Sequence, residues 1–243
     1  MDFTLNEGAG GGARLGLIVL QTDETLEYEA RQVLAGRDSQ LLHARIPNQN
    51  EVTPETLAEM ELTLPATARL LPAGLEAIGY GCTSAATVIG EEAVACAVQA
   101  VQPGVPVTNP ISAVKAALAA LGARRIAMVT PYLPSVTVPM IALLARGGVE
   151  VLREISFGEG DDRRVARIAP ASTRAAMLEA GRAEGVEAVF ASCTNLQSFP
   201  IIDEVETVLD LPVVTSNQAL LWHMLRLAGA DARGWGPGRL FQL

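Results

Sequence analysis

Histidine, cysteine, aromatic residues and positive charge are all scarce in this chain of 243 residues, and each shortage closes off a class of function. The only histidines are His43 and His223, and the three cysteines match no zinc-ligand spacing, so no metal centre is expected. A G-x-S-x-G elbow is missing too, which argues against a Ser-His-Asp hydrolase. An odd number of cysteines reads as free thiols in a reducing compartment rather than a disulfide framework. Against 27 acidic residues stand 18 basic ones, giving a net charge of −9 and no basic stripe. Nucleic acid, whose phosphates need clustered cations, is therefore not an expected partner. No apolar run approaches the roughly 20 residues that span a bilayer, and the opening MDFTLNEGAGGGAR lacks the basic-then-apolar order of a signal peptide. The expectation is a cytoplasmic protein with no membrane partner.

What the chain does have is aliphatic bulk. Apolar residues make up 49% of it and aromatics only 4%, so the core must be built from Ala, Val, Leu and Ile. Residues 1–13 are Gly-rich and without periodicity, and read as a mobile tail. The GAGGG within them precedes the first strand instead of following one, so it does not read as a phosphate loop, and no Walker-type motif occurs. No cofactor is expected.

From Arg14 onward short β-branched or aliphatic runs alternate with longer helical patterns. Strands are expected at 14–20, 40–46, 75–80, 105–109, 124–130, 149–155, 186–192 and 211–216. Helices are expected at 24–35, 54–71, 91–101, 112–121, 135–146, 171–184, 200–209 and 217–228. This alternation predicts an α/β fold with parallel sheets covered by helices. The two halves echo each other: a strand, then Cys-Thr, then a helix, at 75–101 and again at 186–209. Two similar α/β lobes related by a pseudo-twofold follow, with the active site in the cleft between them. The first lobe is expected to comprise 14–118 and 214–243, with the last helix returning to it, and the second 119–213.

Ligands of open α/β sheets bind outside the carboxyl ends of the strands. Cys82, Thr83 and Ser84 fall at such an end, as do Cys193, Thr194 and Asn195, the QTDET segment with Asp23, and the TPY segment with Tyr132. A cysteine at a helix N-terminus has a lowered pKa, because peptide dipoles and free N–H groups favour the thiolate. One such thiol from each lobe would flank a small substrate on two faces, which suits removing a proton from one side of a carbon and returning it on the other. Thr83, Ser84 and Asn195 are also good helix caps. Cys96, inside EEAVACAVQAV, reads as a small buried hydrophobe.

The segments GYGCTSAAT, ASCTNLQS, GLIVLQTDETLE and VTPY together resemble the aspartate/glutamate racemase superfamily across nearly the whole chain from Arg14. More narrowly they look like the branch of maleate cis-trans isomerases, arylmalonate decarboxylases and the racemase-like proteins of ectoine utilisation. The resemblance implies a cofactor-independent site between two lobes, with Cys82 and Cys193 as catalytic pair. Thr83, Ser84 and Tyr132 match hydroxyls that hold a carboxylate, and the main chain after Cys193, at Thr194 and Asn195, would complete an oxyanion site. Arylmalonate decarboxylases have glycine at the first cysteine position, so Cys82 argues against simple decarboxylation. Maleate isomerases carry asparagines where this chain has Asp23 and Asp162. An amide can donate to a carboxylate, whereas an ionised aspartate only accepts, which favours a substrate bearing an amine, amide or hydroxyl.

The sequence thus points to a racemase or isomerase of a small carboxylate, an amino-acid derivative by preference, working as a homo-oligomer. A cis-trans isomerase using a cysteine adduct and a non-catalytic carboxylate-binding protein are the alternatives.

Overall fold

The structure, a computed structural model, describes residues 1–6 and 11–243. Part of the tail expected over 1–13 falls on residues 7–10, which lie outside the described residues, and the first strand already takes in Ala13. Two four-stranded parallel sheets form the frame. The first contains β1 (Ala13–Leu20), β2 (Ser39–Ile46), β3 (Ala77–Gly81) and β4 (Val107–Thr108) in the order β2-β1-β3-β4. The second contains β5 (Arg125–Thr130), β6 (Glu150–Ser156), β7 (Ala188–Ala191) and β8 (Val213–Thr215) in the order β6-β5-β7-β8. Each order is the other shifted by four strands, so β3 and β7 occupy corresponding places.

Both strands are buried along their whole length, as parallel strands covered on two faces must be. Their sequences, AIGYG and AVFA, are accordingly runs without polar alternation. Gly81, the last residue of β3, is required by a close approach: a Cβ there would come within 2.4 Å of Leu26 Cδ2 and 3.2 Å of the Ile18 carbonyl.

Ten α-helices connect the strands among the described residues: α1 (Leu26–Leu34), α2 (Pro54–Ala68), α3 (Thr83–Ile89), α4 (Glu91–Gln99), α5 (Pro110–Leu121), α6 (Pro134–Arg146), α7 (Asp162–Val165), α8 (Pro170–Gly181), α9 (Ile202–Leu209) and α10 (Ser216–Leu227). Several start at a side-chain cap. Thr53 and Thr56 form a capping box for α2, Asn109 caps α5, and Thr215 with Gln218 caps α10. The helix α10 leaves the second sheet and packs against α5 and β3, on the first. The lobe boundaries expected after 118 and 213 fall inside α5 and β8 respectively.

Two expectations are corrected. The short helix α3 stands before α4, ended by Gly90 at φ +95°, where the only helix expected was the one at 91–101. On α4 the buried residues are Val94 and Val98, which leaves Cys96, two positions from each, on the outer face and exposed.

Candidate active site

The carboxyl ends of β3 and β7 face one narrow, largely enclosed cavity with room for about one water molecule between its walls. Cys82, Ser84, Tyr132, Asp162, Cys193 and Thr194 line it. These six predicted residues come from both lobes and meet at one point. Three others do not reach the wall. Thr83 turns its hydroxyl into the protein, donating to Ser216 Oγ at 2.9 Å. Asp23 caps the start of α1, its Oδ1 accepting from the N–H groups of Thr25 and Leu26 at 2.8 Å each. Its Oδ2 is buried without a hydrogen-bond partner among the described residues, with the Thr194 hydroxyl nearby.

Asn195 is a clasp between lobes. Its Oδ1 accepts from Glu24 N at 3.0 Å, while Nδ2 donates to the Asp162 carbonyl at 3.1 Å and Asp162 Oδ2 at 3.2 Å. The Thr22 hydroxyl donates to the same Oδ2. Asp162 is therefore anchored through one oxygen, and Oδ1 is the oxygen left for the cavity it lines.

Each sulfur accepts a backbone N–H, Cys82 Sγ from Ala85 at 3.4 Å and Cys193 Sγ from Asn195 at 3.3 Å. Only Cys82 caps a helix. After Cys193 the chain makes turns and a single 3₁₀ turn, Phe199–Ile201, and α9 begins nine residues on, at Ile202. The expected second cysteine at a helix start is thus not found.

The thiols are not acidified either. Burial pushes Cys82 up to about 12, more than the contacts from Ser84 and Ala85 bring it down. Burial also raises Cys193, and the negative charge of Asp162 adds to it, while the neighbouring Tyr132 hydroxyl works the other way. Removing water from around a charged sulfur outweighs what one N–H restores. Burial likewise raises Asp162 and brings Asp23 up to about 7.

The remaining walls were not anticipated. Asn48, Gln49, Glu51 and Val52 follow β2, and Thr56, Leu57 and Met60 follow on α2. The signal was present in IPNQNE, a polar stretch at a strand's carboxyl end like those singled out elsewhere. This segment is pinned across the cleft by an antiparallel bridge between Glu51 and Asp161, with Val52 N donating to Gly160 O and Asp162 N to Asn50 O, both at 2.9 Å. Among the lining residues two are acidic, Glu51 and Asp162, and none is Lys, Arg or His. Outside the cavity His223 bonds Thr108 Oγ1 at 2.8 Å and His43 is exposed.

Comparison with known proteins gives a consistent set of relatives. The family model described as arylmalonate decarboxylase matches residues 15–241. A maleate isomerase of Geobacillus stearothermophilus is 27% identical over 229 residues, covering 88% of this chain and 90% of its own. An arylmalonate decarboxylase of Bordetella bronchiseptica is 35% identical over 140 residues, 57% of this chain and 58% of its own. Among solved structures, a cysteine-to-serine mutant of Nocardia farcinica maleate cis-trans isomerase with a covalently bound succinylcysteine intermediate aligns at a TM-score of 0.87. It is 26% identical, and the alignment covers 96% of this chain and 99% of that one.

Proposed function

The chain belongs to the arylmalonate decarboxylase family, and on that premise we propose that it is a cofactor-independent isomerase of a small carboxylic acid, with Cys82 and Cys193 as its acid and base. The observation that carries the reading is that the two thiols, each just beyond corresponding strands of the two lobes, line one cavity. In the favoured mechanism one sulfur, as thiolate, takes the proton from the carbon next to the carboxylate. The other, as thiol, gives its proton to the opposite face. The product leaves with inverted configuration and the two sulfurs have exchanged protonation state.

Negative charge flows onto the carboxylate oxygens as the carbon loses its proton. Ser84 and Tyr132, both on the cavity wall, carry the hydroxyl donors to receive it, whereas the Thr194 hydroxyl already donates to the Gly81 carbonyl at 3.4 Å. Losing one such preorganised donor typically costs about 3–4 kcal/mol of transition-state stabilisation. Burial makes each thiolate rare but strongly basic, which suits abstraction from a weakly acidic carbon.

The wall composition narrows the substrate. A dianion would meet two acidic side chains and no cation, whereas an ammonium beside the carboxylate would be drawn to Asp162 and would offset the cost of ionising a buried thiol. An amino-acid derivative fits best, and racemisation at its α-carbon is the corresponding reaction. Acids of ectoine and hydroxyectoine breakdown, including diaminobutyrate derivatives, are the first candidates, as the motif resemblance suggests.

A second reading has its own support, the succinylcysteine carried by the Nocardia farcinica neighbour. By analogy Cys82 would add to a double bond, allow rotation and leave again. Turnover in D2O separates the two. Two-base racemisation puts deuterium at the reacting carbon and no mass on the protein, whereas addition and elimination give an adduct on an intact-mass spectrum and need no α-proton. Cys82→Ala and Cys193→Ala should each abolish turnover. Full activity in either would refute the paired-thiol reading.

A further inference from the structure

Behind the cavity lies a buried hydrogen-bond network to which the chemistry above assigns no part. It centres on the first turn of α10. Ser216 Oγ accepts from the Thr83 hydroxyl at 2.9 Å, and Thr83 follows Cys82. The next residue, Asn217, donates through Nδ2 to the Thr194 carbonyl at 2.8 Å, and Thr194 follows Cys193. Adjacent residues of one helix therefore hold the residue after each cysteine.

Asn217 is aimed by a third element. Its Nδ2 also donates to Oε2 of Glu29 on α1, at 2.7 Å. The other oxygen of Glu29 accepts from the N–H groups of Ser198 and Phe199, at 2.8 and 2.9 Å, farther along the chain that leaves Cys193. Glu29 and the Thr194 carbonyl both present acceptors, so Asn217 must turn its NH2 to the pair. Its own Oδ1 is left buried with no partner among the described residues. An unpaired buried carbonyl is costly, so the amide's orientation is dictated by the two groups it joins.

We propose that Ser216 and Asn217, the latter aligned by Glu29, are positioning residues that set the two thiols at their working placement, an inference that rests on the paired-cysteine reading above. None of the three side chains lines the cavity. They act through Thr83 and Thr194. A single rigid turn serving both cysteines keeps their relative placement independent of small movements of either sheet.

The test reads the thiols themselves, so it stands apart from whether the substrate assignment is right. Iodoacetamide alkylation is followed by peptide mass spectrometry at Cys82, Cys193 and Cys96 separately, with the exposed Cys96 as an internal standard. Ser216→Ala should speed alkylation of Cys82 by about fivefold, the scale of one lost hydrogen bond, and leave Cys193 unchanged. Asn217→Ala should do the reverse. Glu29→Gln keeps an acceptor for Ser198 and Phe199 while setting an NH2 against that of Asn217, and should reproduce the Asn217→Ala pattern. Equal acceleration of both cysteines in every variant would indicate general loosening and overturn the proposal, as would no change in any. If these site-selective changes appear but the Cys→Ala variants keep full turnover, the positioning stands and the acid–base reading falls.

Discussion

At Cys82 the N–H of Ala85 favours a thiolate while the loss of surrounding water disfavours it, and the second effect is larger. That Cys82 stands at the carboxyl end of a strand was legible in the sequence. The degree of enclosure was not, because it depends on Asn48, Val52 and Met60, more than twenty residues away. The balance at Cys193 has a further contributor that can be removed. Asp162 raises both thiols, and at Cys193 its charge is the largest contributor after burial. Asp162→Asn should therefore raise the thiolate fraction of Cys193, accelerating its alkylation at pH 8 by about threefold or more relative to Cys96. The new amide can still accept from Thr22 and Asn195 through Oδ1 and offers Nδ2 to the cavity. Maleate, measured by calorimetry, should bind the variant more tightly than the parent. Unchanged thiol reactivity would mean that Asp162 carries no charge at that pH.

β3 and β7 were readable because a buried parallel strand is an uninterrupted apolar run, and the half-exposed edge strands β2 and β6 from their place in the strand–helix alternation; all eight lie within or close to their expected ranges. β4 is the weakest, two residues where five were expected, since Pro106 and Pro110 bracket it and a proline cannot donate to the ladder. The seven residues of α3 and the four of α7 escaped notice because neither is long enough to show a helical period. Asn195 was read as a substrate ligand or a helix cap and proves to be the interlobe clasp. Its partners, Glu24 and Asp162, are 171 and 33 residues away, beyond any local pattern. The close packing of α1 against the end of β3 is testable. Gly81→Ala would drive a methyl group into Leu26 and should cost about 1–3 kcal/mol in chemical denaturation. It should also disturb Cys82, the next residue, so activity would fall more than stability alone explains.

On the scale of the whole molecule, two carboxyls sit buried where the lobes meet. Burial brings both Asp23 and Glu29 up to about 7 from ordinary values near 4. Between about pH 4 and pH 7 the folded chain holds these protons more tightly than the unfolded one, so their contribution to stability is complete below that window and is lost as pH rises through it. Asp23→Asn removes one of the two. Its melting temperature should match the parent's near pH 4 and exceed it at pH 8, where the gain should be about 1–3 kcal/mol. A melting difference that does not grow with pH would show that Asp23 stays charged in the folded protein.

The return of α10 to the first sheet also orders events in time. A ribosome delivers β1 to β4 long before Ser216–Leu227, and until that helix arrives β3 lacks one of its covering faces. The first sheet must wait for α10, a long-range closure that slows folding. Because the same helix ties down the residue after each cysteine, the thiols are brought to their final placement only once synthesis has passed Leu227.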